Sequence, residues 1–274
     1  MRRSLCISVK ELLIFFLARL SCRHGNHMKS AAGTTTAALG RSSDLLDRVD
    51  YRLAETPEEK EEIYRLRYRA YLREGAIQPS SDQRVTDQYE DAPNAWTFGV
   101  YFHGELYSSI RVSLLTPEWR VAPSLALFGD VLHPKLDQGQ VFVDSTRFVA
   151  DPEKARNFPE LPYVMVRLGS MAGVHFNADY GLAMVRPEHQ AFYRRVFLQE
   201  TWCEPRLHPG LVKPVGLMAA HLPTVRERVL ARYPFLRSSA FERRMLFERN
   251  GARRQSSPDV MMSPLERTSI VPQP

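Results

Sequence analysis

Residues 141–150, VFVDSTRFVA, constrain the fold more than any other stretch of this chain. β-Branched and aromatic residues dominate it, which predicts a strand, yet Asp144 and Arg147 sit in its middle. Strict alternation along a strand would send residues three apart to opposite faces of the sheet. One extra residue on this strand, a β-bulge, would bring both charges to the same face. Either way, charges inside an apolar strand need partners from elsewhere in the chain.

The rest of the sequence sets the bounds. With 274 residues, 44% of them hydrophobic and 25% charged, the chain can bury one substantial core and does not require two. Its net charge of +6 and pI near 9.3 favour acidic partners such as anionic lipid, nucleic acid, phosphorylated substrates or an acidic carrier protein. Cys6, Cys22 and Cys203 are odd in number and scattered, with no paired spacing, which argues against a disulfide framework or a zinc site. This fits a reducing cytoplasm.

The first residues, MRRSLCISVK and then LLIFFLARL, imitate an export signal. The apolar run is nevertheless far below the ~20 residues that span a bilayer. The following Ser, Thr, Ala and Gly residues lack periodicity, so residues 1–48 read as a disordered or misannotated extension, with Met28 as the preferred start. Residues 255–274 read as a flexible tail, leaving a domain over 49–237 and a C-terminal helix end and tail over 238–274.

Between these ends, strand and helix patterns alternate. A strand at 50–55 leads into TPEEKEEIYRLRYRAYLREG, a helix with Thr56 as N-cap, Pro57 in the first turn, Ile63, Leu66, Tyr71 and Leu72 on one side, and Gly75 as its stop. Residues 76–94 form a polar loop long enough to imply function. WTFGVYFHGELYSSIRVSLL predicts a hairpin turning at HGE. After a short helix and the 141–150 strand come a helix from Leu161, a strand, a helix beginning at Pro187, two strands and a terminal helix. The result is an α+β order with a mixed central sheet of about seven strands and flanking helices.

That order, with PEHQAFYRRVF near its end, resembles the GNAT acyltransferase fold. The resemblance implies that the fourth strand is bulged and splays from the fifth, leaving a wedge for the pantetheine arm of an acyl thioester. GNAT enzymes usually hold the coenzyme A diphosphate on a Gly-rich loop at a helix N-terminus. DPEKARNFPELPYVMVRLGS contains no such loop, and its glycine, Gly169, lies within the predicted helix. A carrier-protein donor is therefore preferred over free coenzyme A, and acyl carrier protein is the expected partner.

Arg67 and Tyr71, Asp87 with Glu90, Arg111, and Asp144 with Arg147 fall in the order seen in acyl-homoserine-lactone synthases. They resemble still more the related long-chain N-acyl amino acid synthases, over roughly residues 50–222. Ile77 stands where the lactone synthases carry a tryptophan, Glu90 where they carry an aspartate and Asp144 where they carry a glutamate. The change at Ile77 disfavours a lactone synthase, because adenosylmethionine lies in that region of those enzymes. The resemblance thus implies transfer of a long-chain acyl group from acyl carrier protein to the α-amine of an amino acid, with no bound cofactor or metal. Neither nucleic-acid binding nor membrane contact is expected.

The chemistry constrains the roles. The attacking ammonium must lose a proton, and Asp144 is a suitable sink if burial raises its pKa from ~4. Strand amides exposed by a bulge would stabilise the oxyanion. Arg111 or Arg147 would hold the amino acid carboxylate. With no Cys-His or Ser-His-Asp pattern, direct attack on the thioester is expected rather than an acyl-enzyme. Asp144, Arg147 and Arg111 are thus the predicted catalytic residues, while Arg67, Tyr71, Asp87, Glu90, Phe142 and Phe148 are predicted to bind substrate or order the loop. The same residues also suit structural roles: an ion-pair network pinning the loop, an Asp144–Arg147 salt bridge, and core packing for Tyr71, Trp96, Phe98, Phe142, Phe148 and Met171. His189 and Tyr193 fit an acid-base or a surface role, and the basic runs RERVLAR and FERRMLFERNGARR fit a partner surface or a solvated helix face. A lactone synthase and a non-catalytic GNAT-like module that binds carrier or lipid are the competing readings.

Overall fold

The computed structural model describes residues 46–249 apart from Pro159. The leader and the tail inferred from sequence lie outside the described residues.

Seven strands make one sheet in the order β1-β2-β3-β4-β5-β7-β6. The strands are β1 (Val49–Leu53), β2 (Ala95–Phe102), β3 (Glu105–Leu115), β4 (Phe142–Ala150), β5 (Tyr180–Val185), β6 (Glu200–Arg206) and β7 (Val215–His221). β4 and β5 run parallel and every other pair is antiparallel. The chain makes that one parallel crossover through α3 (Leu161–His175).

Local chemistry explains the elements that position the site. α1 (Pro57–Arg73) opens with a reciprocal capping box: Glu59 N donates to Thr56 Oγ1 at 3.2 Å, and Glu59 Oε2 accepts from Thr56 N at 3.1 Å. Gly75, with φ +59°, turns the chain out of the helix into the polar loop. The β2–β3 hairpin turns on His103 and Gly104, both at positive φ, as a two-residue turn of the primed type demands.

α1 and α2 (Pro123–Asp137) cover one face of the sheet. Tyr101, Leu106 and Val149 pack under α1, and Leu115, Phe142, Leu182 and Leu217 under α2. The longer α2 replaces the short helix expected there and is kinked at Phe128. α3 covers the opposite face, over Trp96, Phe98, Ile110, Val112 and Val143. α4 (Gln190–Phe197), α5 (Leu222–Arg232) and α6 (Ala240–Phe247) join it on that side. α6 lies beyond the boundary drawn at 237, yet its Phe247 is buried against Trp96 and Phe98, so the folded body extends at least that far.

Because α1 carries two of the site residues, its cap matters for more than helix length. Thr56→Ala is expected to lower stability by about 1 kcal/mol. Equilibrium urea denaturation checks this; an unchanged midpoint would show that the capping box contributes nothing.

Candidate functional site

The bulge anticipated in β4 is present. Ser109 pairs with Val149 and Arg111 with Thr146, so β4 carries one more residue than β3 between these pairs. Arg147, at φ +54°, sits in that irregularity. The bulge carries Arg147 to the α1 face, which Asp144, Thr146 and Arg111 already share.

Asp144 and Arg147 share a face but do not pair, which removes the salt bridge offered as the alternative structural reading. Arg147 donates instead to Asp87 of the polar loop, through Nη2 at 2.5 Å and Nε at 3.1 Å. Asp87 also takes a two-pronged contact from Arg111, at 2.6 and 3.0 Å. Arg111 shares Glu90 Oε1 with Arg67, at 2.9 and 2.5 Å, and Thr97 donates to the other Glu90 oxygen at 3.1 Å. A single chain of charges, Arg67–Glu90–Arg111–Asp87–Arg147, therefore ties α1, the loop, β3 and β4 together. Three guanidinium groups face two carboxylates, which leaves the chain with an excess positive charge.

Burial and neighbours set the titration of this chain. Burial opposes the charge on Asp87, but hydrogen bonds and attraction from Arg111 and Arg147 prevail and hold its carboxyl well below the usual range. Burial lowers the pKa of Arg67, which has Nε and Nη2 without hydrogen-bond partners. Burial also opposes the charge on Arg147, yet Tyr71 and Asp87 raise its pKa; its guanidinium lies 5.8 Å from the Tyr71 ring centre.

Asp144 is fully buried beneath the first turn of α2. Burial raises its pKa, opposed by Ser124 and by the charge of Arg111, and neither carboxylate oxygen makes a well-formed hydrogen bond.

Beyond Ser145–Ala183 the parallel pairing of β4 and β5 stops, although β4 continues to Ala150 and β5 to Val185. Two cavities open at this splay and meet at Ser145, Phe148 and Tyr193, which line both. The first, about 200 Å³, is apolar, between β4, α3 and α5, with Val143, Val166, Leu182 and Leu230 in its wall. Gly169 lets α3 press close behind it, since a Cβ there would stand 2.7 Å from Ser145 Oγ. The second, about 230 Å³, is lined by Tyr71, Arg147, Arg186, His189 and Arg195, by Glu74, which accepts from Arg186 at 3.0 Å, and by apolar groups.

Of the residues expected to act directly, Arg147 reaches a cavity while Asp144 and Arg111 line neither. Arg67, Asp87 and Glu90 belong to the charge chain rather than to a cavity wall. Phe142 is core, stacked on Tyr180 at 5.5 Å under α2, whereas Tyr71 and Phe148 do line cavities. Arg186 and Arg195 had no motif to single them out. His189 and Tyr193 are four apart at the start of α4, a spacing that signals one shared face.

The N-terminus of α3 is already consumed. Leu161 N donates to Phe158 O, Pro162 has no N–H, and Tyr163 N and Val164 N both donate to Glu160 O. A diphosphate would find few free amides there.

A family model, that of the N-acyl amino acid synthase FeeM, matches residues 62–221. The chain belongs to the FeeM family of N-acyl amino acid synthases. It is an N-acyltransferase with the GNAT-type fold. The structure of FeeM, from uncultured soil microbes, superposes with a TM-score of 0.55 at 18% identity, covering 68% of this chain and 97% of that one. TofI, in a ternary complex with an inhibitor and MTA, gives 0.48 at 16% identity over 68% and 96% of the two chains. An acyl-CoA N-acyltransferase from Pseudomonas aeruginosa gives 0.42 at 18% identity over 62% and 97%. No curated protein matches this chain in sequence.

The two aspartates have opposite pH signatures. Asp87, depressed in the fold, stabilises above its unfolded pKa of ~4, and that contribution is lost as pH falls through the folded value. Asp144, raised in the fold, destabilises once pH exceeds ~4, because the unfolded chain then gives up its proton first. Asp144→Asn is therefore expected to be at least as stable as the native chain at pH 7, with the difference vanishing below ~4. Urea denaturation across pH measures this; a large loss at pH 7 would mean that a charged Asp144 is holding Arg111.

Proposed function

We propose that the chain transfers a long-chain acyl group from the pantetheine thioester of acyl carrier protein to the α-amine of an amino acid. The observation that carries this reading is the splay of β4 from β5, where an apolar cavity and a basic one meet. The apolar cavity suits a fatty acyl chain, and the basic one suits an amino acid whose carboxylate needs a cation. The thioester carbon then lies where they join, beside the free edge of β4, whose unpaired amides are the natural donors to a developing oxyanion.

Arg147 and Arg195 are the guanidinium groups we assign to the acceptor's carboxylate. His189 lines the same cavity, with Nε2 2.7 Å from Arg186 Nη2. Arg186 donates into Nε2, so we assign this ring the proton of the attacking amine, taken directly or through a water, once Arg186 turns to the acceptor's carboxylate. Tyr193 stands at the junction; burial raises its pKa, so it stays protonated and can donate to the departing thiolate. Asp144, which lines neither cavity, is given no part in this machinery. The consumed amides at the α3 N-terminus favour a carrier protein over free coenzyme A as the acyl donor, and the +6 net charge suits an acidic carrier.

Purified protein incubated with palmitoyl carrier protein and mixed amino acids is expected to yield N-acyl amino acids by mass spectrometry. The kcat/KM with the carrier thioester should exceed that with palmitoyl coenzyme A by at least ~10-fold, about 1.4 kcal/mol. Thioester loss only at the buffer rate would overturn the reading. His189→Gln is expected to lower kcat by about 10²-fold at pH 7 and to recover at higher pH, where free amine is supplied by solvent. A pH-independent loss would reassign the histidine to a structural role.

A further inference from the structure

The segment from α5 through α6, residues 222–249, carries seven arginines against three glutamates and neither lysine nor aspartate. Two of the three acids are engaged, Glu242 by Arg167 at 2.5 Å and Glu227 near Arg226 at 3.7 Å. Arg226, Arg228, Arg232, Arg237 and Arg244 are all exposed.

α6 has two apolar sides. One holds Phe247, buried among Trp96, Phe98 and Phe176. The other presents Phe241 and Met245, one turn apart and 65% and 63% exposed, with Arg244 between them. Only Leu207 is as exposed among the large apolar side chains of the described residues.

The outward side is held rigidly. Ser239 caps the helix, and Arg167 donates to Glu242 and to the carbonyls of Phe235 and Arg237. Phe241 and Met245 thus project from a fixed helix rather than from a fraying end.

We propose that this face of α6, with the exposed Arg237 and Arg244, is a peripheral docking surface for an anionic lipid bilayer. Large apolar side chains projecting from a helix among arginines have the composition of a helix that lies in a membrane interface. The apolar groups enter the headgroup boundary while guanidinium groups meet lipid phosphates and the alkyl stems of arginine follow the surface. Two apolar side chains fixed outward beside exposed guanidinium groups match a surface that offers acyl chains directly beneath phosphates. No helix among the described residues is long and apolar enough to cross a membrane, so the contact is with the surface. This proposal does not depend on the acyl-transfer reading.

The test is sedimentation of the full chain with vesicles of phosphatidylcholine and phosphatidylglycerol, against phosphatidylcholine alone, at low and high salt. The chain is expected to bind the anionic vesicles, weakly at high salt. The double variant Phe241→Ser, Met245→Ser is expected to reduce binding at least tenfold. These side chains are exposed, so its thermal midpoint should match that of the native chain. A parallel arm measures binding to purified acyl carrier protein. No retention by anionic vesicles overturns the proposal, as does unchanged vesicle binding by the double variant. It is also overturned if the variant loses carrier-protein binding and keeps vesicle binding.

Discussion

The structure depends on one shared carboxylate. Asp87, carried on a long polar loop, accepts from Arg111 on β3 and from Arg147 in the bulge of β4. Without it, two guanidinium groups would lie buried beside each other, and breaking a buried pair in that way typically costs about 3–5 kcal/mol. With it, Arg147 holds a left-handed backbone conformation that a non-glycine residue adopts only when its surroundings impose it. The bulge so fixed re-aims the end of β4, and the parallel pairing to β5 stops nearby. The wedge between those strands is where the two cavities meet. Its position therefore rests on a loop that contributes no strand or helix of its own.

This arrangement separates holding from acting. Arg67, Glu90, Arg111 and Asp87 are locked in mutual ion pairs and line neither cavity. Arg147 belongs to both groups: it is anchored by Asp87 and also faces the cavity with Tyr71, His189 and Arg195. An excess of guanidinium groups over carboxylates in that chain of charges leaves positive potential near the cavity. Asp144 lies beyond this division, sealed under α2 with its pKa raised by burial and lining neither cavity.

How much of this was legible in the sequence follows from the range of the interactions. The capped α1 and the β2–β3 hairpin were readable because a few neighbouring residues determine them. The bulge was readable from a parity conflict, charges three apart in a strand that buries one face. The partner of Arg147 was not, since Asp87 is sixty residues away and Asp144 is the nearer acid; only the folded loop decides between them. Phe142 and Phe148 look alike in sequence, yet they fall on opposite faces, one under α2 and one in the wedge. The contribution of α4 was weakly legible, because a histidine and a tyrosine four apart fit a surface helix as well as a cavity wall.

Hydrogen exchange by mass spectrometry on an Asp87→Asn variant tests the central claim most directly. If Asp87 fixes the bulge, amides of residues 146–150 and of loop 76–94 should exchange faster in the variant, while residues 142–145, still paired to both neighbours, keep their protection. Unchanged exchange at 146–150, or a uniform rise across the whole sheet, would contradict the account.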